Sequence, residues 1–161
     1  NAGFKPATLA NVGMFDVLEH IPADAEYLKK VRRLMPEQGR LYCAVPAWQF
    51  LWSREDEAAE HLRRYSLGEL QEKIASAGFA LEHSTYYFAA LLAPILFLRA
   101  LPSRLGLRKA RTAESSMSEH TLRPGLASRI VQGALDLEVN WIASARRCVV
   151  GASCAVVARA I

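Results

Sequence analysis

Cysteine is scarce in this sequence, and its scarcity removes two common ways of stapling a fold. Cys43, Cys148 and Cys154 are an odd number at no metal-like spacing, so neither a disulfide framework nor a cysteine-held zinc is expected. Cys43 and Cys154 sit in apolar β-like runs and read as small buried hydrophobes in a reducing compartment. A membrane-spanning run is also missing: Phe88 to Leu101 is strongly apolar, but it falls short of the roughly 20 residues a bilayer needs and is interrupted by Pro94 and Arg99. The first residues, N-A-G-F-K-P, lack the basic-then-apolar order of a signal peptide, which makes a cytoplasmic setting the expectation. No internal repeat stands out, and no G-x-G occurs anywhere.

What is present suffices for one ordinary domain with a real core: 161 residues, 52% of them hydrophobic. A net charge of +4 suits an anionic ligand or a membrane surface without requiring either. Asn11 to Leu18 reads as a short apolar strand ending at the polar pair Glu19-His20. Pro22 is harmless in a first helical turn, and Leu28, Val31, Leu34 and Met35 mark the 3.6-residue stripe of the helix it starts. The lysines and arginines on that helix read as a solvated face.

Pro36 and Gly39 stop the helix, and Arg40 to Pro46 (R-L-Y-C-A-V-P) is a second, almost wholly apolar strand. Such strands alternating with helices predict a parallel sheet covered on both faces. Ser66-Leu67-Gly68-Glu69 has the pattern of a capping box, opening a helix that Gly78 closes. Phe79 to Phe88 reads as a third strand. Ser103 to Pro124 is polar enough for a mobile loop, Leu126 to Arg147 is a long amphipathic helix, and Ser153 to about Arg159 is a last strand. The fold class is therefore α/β, a single domain over 1–161 with a helical insertion over 88–150.

These segments, in this order, resemble the second half of a class I S-adenosylmethionine-dependent methyltransferase of the ubiquinone-methyltransferase-like kind. F-D-V-L-E-H-I (Phe15 to Ile21) resembles the family's fourth strand end, and P-E-Q-G-R-L-Y-C-A-V-P the turn and fifth strand. R-R-Y-S-L-G-E-L and A-G-F match the stretch up to the sixth, and G-A-S-C-A-V-V-A-R resembles the seventh, antiparallel strand beside the fifth. The resemblance implies a Rossmann-like sheet and S-adenosylmethionine as cofactor. It also implies that the first three strands, with their glycine-rich cofactor loop, are lacking from this sequence. A half-sheet exposes an unpaired strand edge, so the isolated chain is expected to be poorly stable or self-associating. A non-catalytic half-domain serving as an oligomerisation or partner-binding module is the alternative.

Within the resemblance, the strand's carboxyl end faces a ligand cleft. Phe15, Asp16 and Leu18 are then cofactor-side residues, and His20 is a general base on an acceptor hydroxyl. D-x-x-E-H also resembles the E-x-x-E-H metal arrangement of the ubiquinone-pathway and small-RNA 3′-end methyltransferases. That implies Asp16, Glu19, His20 and His61 as ligands to a divalent cation such as Mg²⁺. A purely structural reading stays open, with Glu19 and His20 capping the next helix or pairing with arginine.

Trp48, Trp52, His61, Arg64 and Tyr65 are the expected substrate-side residues. Packing beneath the insertion is the other reading for the tryptophans, and a solvated junction is the other reading for His61. Phe88 to Arg111, apolar and then basic, suggests a membrane surface or lipid-like acceptor, against a core helix or a dimer face. The expected acceptor is a small or lipid-like molecule, with no nucleic acid.

Overall fold

The computed structural model describes residues 3–106 and 126–161. Strand β1 is Asn11–Phe15, β2 Arg40–Pro46, β3 Phe79–Tyr87 and β4 Ser153–Ala160. Helix α1 is Asp24–Leu34, α2 Arg54–Ala58, α3 Leu67–Ser76 and α4 Ala89–Ile95. A π-helical turn, Leu96–Ala100, joins α4 to α5, Leu101–Arg104, and α6 is Leu126–Ala143.

The sheet order is β1-β2-β4-β3, with β1 and β2 parallel and β4 antiparallel to both of its neighbours. The last strand thus lies beside the second and antiparallel to it, as the family resemblance implied. Its composition explains why it fits there. Cys154, Val156, Ala158 and Ala160 alternate as buried positions along β4, and small side chains let it sit between two strands beneath a helix layer. Cys43 and Cys154 are free and buried, and burial pushes both thiols up to about 12, so they are inert packing groups.

Strand pairing sets the two faces. Met14, Cys43 and Val156 share one face, where Leu28 and Val31 of α1 and Leu70 and Ile74 of α3 close the core. Ser66 and Glu69 form the expected capping box, with Ser66 N–H donating to Glu69 Oε2 at 2.7 Å and Glu69 N–H to Ser66 Oγ at 3.2 Å.

The opposite face carries the row Phe15, Ala44, Ala155 and Thr85 across all four strands. Leu135, Glu138, Val139, Ile142 and Ala143 of α6 lie over that row, at the i, i+3, i+4, i+7, i+8 spacing of one helix face. The approach to β4 is tight: a Cβ at Gly151 would collide with the Tyr87 backbone, so only glycine fits there.

Several expectations need correction. The first strand ends at Phe15 rather than Leu18, because Asp16 turns to a φ of 51°, a left-handed conformation that a short polar side chain tolerates. Helix α1 begins at Asp24, whose carboxylate accepts from Ala25 N–H, two residues after Pro22. The sheet is mixed, as the resemblance implied, whereas the apolar strand pattern alone suggested a parallel one; Tyr42 and Phe15 remain exposed on its second face. Among the described residues of the stretch from Phe88 to Leu101, only Ala100 is buried, so it is not a core helix. Of the expected loop from Ser103 to Pro124, Ser103 and Arg104 end α5, while 107–124 lies outside the described residues.

Candidate functional site

Beyond Phe15 the chain makes a single 3-10 turn, Leu18–His20, which drives Leu18 into the core and buries Glu19 completely. A second segment, His61 to Tyr65, is laced along this turn. Leu62 N–H donates to the Glu19 carbonyl at 2.9 Å, and the Tyr65 hydroxyl lies 3.2 Å from the Leu18 carbonyl. Tyr65 N–H and Trp48 N–H close a parallel bridge between this segment and the end of β2. The carboxyl ends of β1 and β2 are thereby joined by one strip of backbone.

The outcome is a convergence of Glu19, His20 and His61, whose ligating atoms all lie within 4.8 Å of one another. Among the described residues no other group of three histidine, cysteine or acidic side chains does so. His61 Nε2 is 3.9 Å from Glu19 Oε1, and the two imidazole rings meet edge to face at 4.8 Å. Neither Glu19 carboxylate oxygen has a hydrogen-bond partner. Burial raises the Glu19 pKa, its own backbone N–H lowers it, and Asp16 adds to the rise. A fully buried carboxylate with no donor beyond its own residue's N–H is expensive to keep, and that expense points toward a bound positive charge.

The imidazoles are oriented from behind. His61 Nδ1 is 2.9 Å from Asp56 Oδ1, and a carboxylate can only accept, so Nδ1 carries the proton and Nε2 offers a lone pair toward Glu19. His20 Nδ1 lies 3.3 Å from the Glu60 carbonyl, which by the same logic frees its Nε2.

Asp56 is itself clamped by Arg64, with Nε at 2.7 Å and Nη2 at 3.1 Å, and by Ser53 N–H at 2.9 Å. Burial works to raise the Asp56 pKa, but Arg64, with His61 and Ser53, outweighs it and holds the carboxyl below the usual range. A neutral imidazole backed by a fixed carboxylate is the outer-shell arrangement that metal-binding histidines use.

A second network fixes the start of α1. Asp24 accepts from Tyr65 Oη at 2.8 Å, Arg63 Nη1 at 2.9 Å and Lys73 Nζ at 3.0 Å, tying α1 to α3 and to the His61 segment. Burial would raise its pKa, yet Lys73, Tyr65 and Ala25 N–H hold it below the ordinary value. Its share of the stability is therefore complete above the unfolded pKa, about 3.9, and is lost as pH falls through the lower folded value. Asp24→Asn is expected to lose about 1–3 kcal/mol at neutral pH and to show a shallower acid limb than the parent. Urea denaturation at pH 7 and at successively lower pH checks both.

These networks relocate several expected site residues. Tyr65 is buried, and its hydroxyl is committed to Asp24 and Leu18. Arg64 spends its guanidinium on Asp56 and the Ala47 carbonyl. Trp48 stacks on Tyr86 at 4.8 Å and donates from Nε1 to the Gly151 carbonyl at 2.9 Å. The Tyr65 hydroxyl, the Arg64 guanidinium and one face of the Trp48 ring are thus engaged within the protein itself. Leu18 is fully buried in the core. Asp16 is exposed beside the turn and is not part of the Glu19–His20–His61 group, while Trp52 is half-buried at the end of a 3-10 turn.

The sequence reading passed over Asp56, which sits in an acidic run that looks like a solvated loop. The signal for it was Ser53-x-x-Asp56, a cap pattern that pins the acid five residues before His61.

Phe15 also forms part of the wall of a cavity of about 500 Å³ between the second sheet face and α6. Ala44 and Ala155 form its floor, and Leu135, Val139 and Ile142 its roof. Tyr87 lines it too; burial pushes its phenol up, against a hydrogen bond with Ser153 that works the other way. Glu138, at the rim, accepts from the N–H groups of Phe88 and Ala89 at the start of α4.

No family model and no curated protein matches this sequence. Solved structures do match. A chain of the Haloferax volcanii complex between the Trm112 methyltransferase activator and a methyltransferase superposes with a TM-score of 0.57 at 12% identity, over 99% of this chain and 57% of that one. An S-adenosylmethionine dependent methyltransferase from Mesorhizobium loti gives 0.55 at 10% identity, over 99% and 65%. A SAM dependent methyltransferase from Archaeoglobus fulgidus gives 0.50 at 12%, over 96% and 60%. This chain therefore spans less than two thirds of the length of each of these three structures. Its mixed sheet, with an antiparallel strand between two parallel ones, has the Rossmann-like fold of class I S-adenosylmethionine-dependent methyltransferases.

Proposed function

We propose that the protein transfers a methyl group from S-adenosylmethionine to a hydroxyl of an apolar small molecule or lipid-linked metabolite. The observation carrying this reading is the Glu19–His20–His61 convergence at the carboxyl end of β1, beside an apolar cavity that starts at Phe15. In open α/β sheets that strand end is where ligands bind. Phe15 and Asp16 are the residues of the turn that remain available to a cofactor, and the apolar cavity suits the acceptor's body.

When bound, S-adenosylmethionine supplies an activated methyl on a sulfonium. The chain's own part would be to align the acceptor hydroxyl with that methyl and to take up the hydroxyl proton. His20 Nε2 is the base, since Nδ1 faces the Glu60 carbonyl and Nε2 is left to take the proton. Glu19, lacking any hydrogen bond of its own, favours the imidazolium that results.

The same three side chains fit a divalent cation, with two imidazole nitrogens backed by acceptors and one unpartnered carboxylate. Such a donor set suits Mn²⁺ or Zn²⁺ better than Mg²⁺, which favours oxygen. A cation there would polarise the acceptor hydroxyl, with His20 serving as ligand in place of base.

Isothermal titration with S-adenosylhomocysteine, on this chain and on a version extended upstream, tests the reading. Saturable binding by either supports it. Binding by neither overturns it in favour of a non-catalytic partner-binding or oligomerisation module.

A further inference from the structure

Helix α2 is five residues long, and the turn that ends it touches both histidines of the site. Glu60 N–H donates to the Glu57 carbonyl at 3.1 Å, and His61 N–H reaches back to the Asp56 carbonyl at 2.9 Å. That pair of bonds is a common helix stop, and it requires a left-handed backbone at the residue after the cap. Glu60 supplies it, with a φ of 58°. Glycine is the usual occupant of such a position, because a Cβ makes the left-handed conformation costly. Here an exposed glutamate holds a geometry that its own residue type disfavours.

Two features of the turn bear on the site. The residues joined by the longer bond of such a stop frequently also meet through apolar side chains. In this protein they are Asp56 and His61, and the contact is instead the carboxylate–imidazole pair at 2.9 Å. Backbone and side chains thus join the same two residues twice. The second feature is the peptide unit between Glu60 and His61. It spends its N–H on Asp56 and presents its carbonyl to His20 Nδ1 at 3.3 Å. The N–H and C=O of a trans peptide lie in one plane and turn together, so a rotation that breaks one of these contacts breaks the other. One peptide plane therefore steadies His61 through the backbone and His20 through the ring.

We infer that Glu60 is a positioning residue for the histidine pair, acting through its left-handed backbone and not through its carboxylate. The Glu60–His61 peptide sets which nitrogen of His20 carries the proton, and so leaves Nε2 free to accept one. Its use in catalysis rests on the proposed methyl transfer, in which His20 Nε2 is the base. The orientation itself is a property of the free protein, so it stands or falls separately from the titration with S-adenosylhomocysteine.

Long-range proton–nitrogen correlation spectra of the histidine rings read the tautomers, at mildly alkaline pH where free imidazole is neutral. His20→Gln and His61→Gln assign the two signals. The parent is expected to carry its proton on Nδ1 at both rings. Glu60→Gly keeps the left-handed backbone and removes the carboxylate, so both tautomers are expected to persist. Glu60→Pro fixes φ at about −65° and removes the N–H given to Glu57, so the Nδ1–H form of His20 is expected to be lost. His83, on β3, is the internal control for an intact sheet. An Nε2–H tautomer at His20 in the parent overturns the inference. So does loss of the Nδ1–H form in Glu60→Gly with the His83 signals in place, which would assign the orientation to the carboxylate. A Glu60→Pro variant that keeps both the His83 signals and the Nδ1–H form of His20 overturns it as well. If the proline variant does not fold, the parent and glycine spectra still decide.

Discussion

Asp56→Ala is expected to cost about 3–5 kcal/mol of folding free energy, the range for removing one partner of a buried ion pair. The carboxylate is 1% exposed and receives two nitrogens of Arg64, one of His61, and both the N–H and Oγ of Ser53. Truncation strands a guanidinium whose side chain is only 10% exposed. It also opens the N-terminal cap of α2 and leaves His61 free to choose its tautomer.

Urea denaturation gives the magnitude. A double-mutant cycle with Arg64→Met separates the loss of the pair from the cost of leaving a charge behind, because the double variant should recover part of the stability. A loss under about 1 kcal/mol, the scale of a surface ion pair, would mean that water already reaches Asp56. The effect should extend to the site: with Nδ1 of His61 no longer held, divalent-cation affinity is expected to fall by about 10- to 100-fold.

The parts of this molecule that were legible in its sequence are those governed by local chemistry. Arg40 to Pro46 is β2 to the residue, because an apolar run between a Pro-Gly turn and a second proline has few other solutions. The Ser66–Glu69 cap was readable because its two hydrogen bonds are made within four residues.

What was not legible depends on partners far apart in the chain. Arg64, Tyr65 and Trp48 have the composition of a substrate wall, and only the fold reveals that Asp56, Asp24 and Tyr86 already claim them. Glu19, His20 and His61 could be suspected from their residue types. Their meeting depends on Leu62 N–H bonding the Glu19 carbonyl, a contact across 43 positions that no periodicity foretells. The stretch from Phe88 stayed open between a membrane-facing segment, a covering helix and a dimer face for a related reason. Apolar periodicity shows that a stripe exists, while tertiary packing decides whether it faces inward.

Glu19→Gln is expected to separate the cost of the buried charge from its use. In the parent, a carboxylate with no donor on either oxygen lies against two imidazoles, and folding must desolvate it. The amide keeps the size and can donate to His61 Nε2, so the cation-free variant should be more stable than the parent by roughly 1–3 kcal/mol at neutral pH.

With Mn²⁺ or Zn²⁺ present the order should reverse. A cation that binds only the folded parent raises its stability by about 2.7 kcal/mol at a hundredfold excess over Kd, whereas the variant, deprived of its anionic ligand, should not respond. Thermal melts of both proteins across a cation titration, with chelator as the zero point, read the two effects at once. If the parent's midpoint is indifferent to every divalent ion while the variant still gains stability, no cation belongs to the site. If the variant gains nothing, the turn is hydrated in solution, and the buried carboxylate is not the source of the site's chemistry.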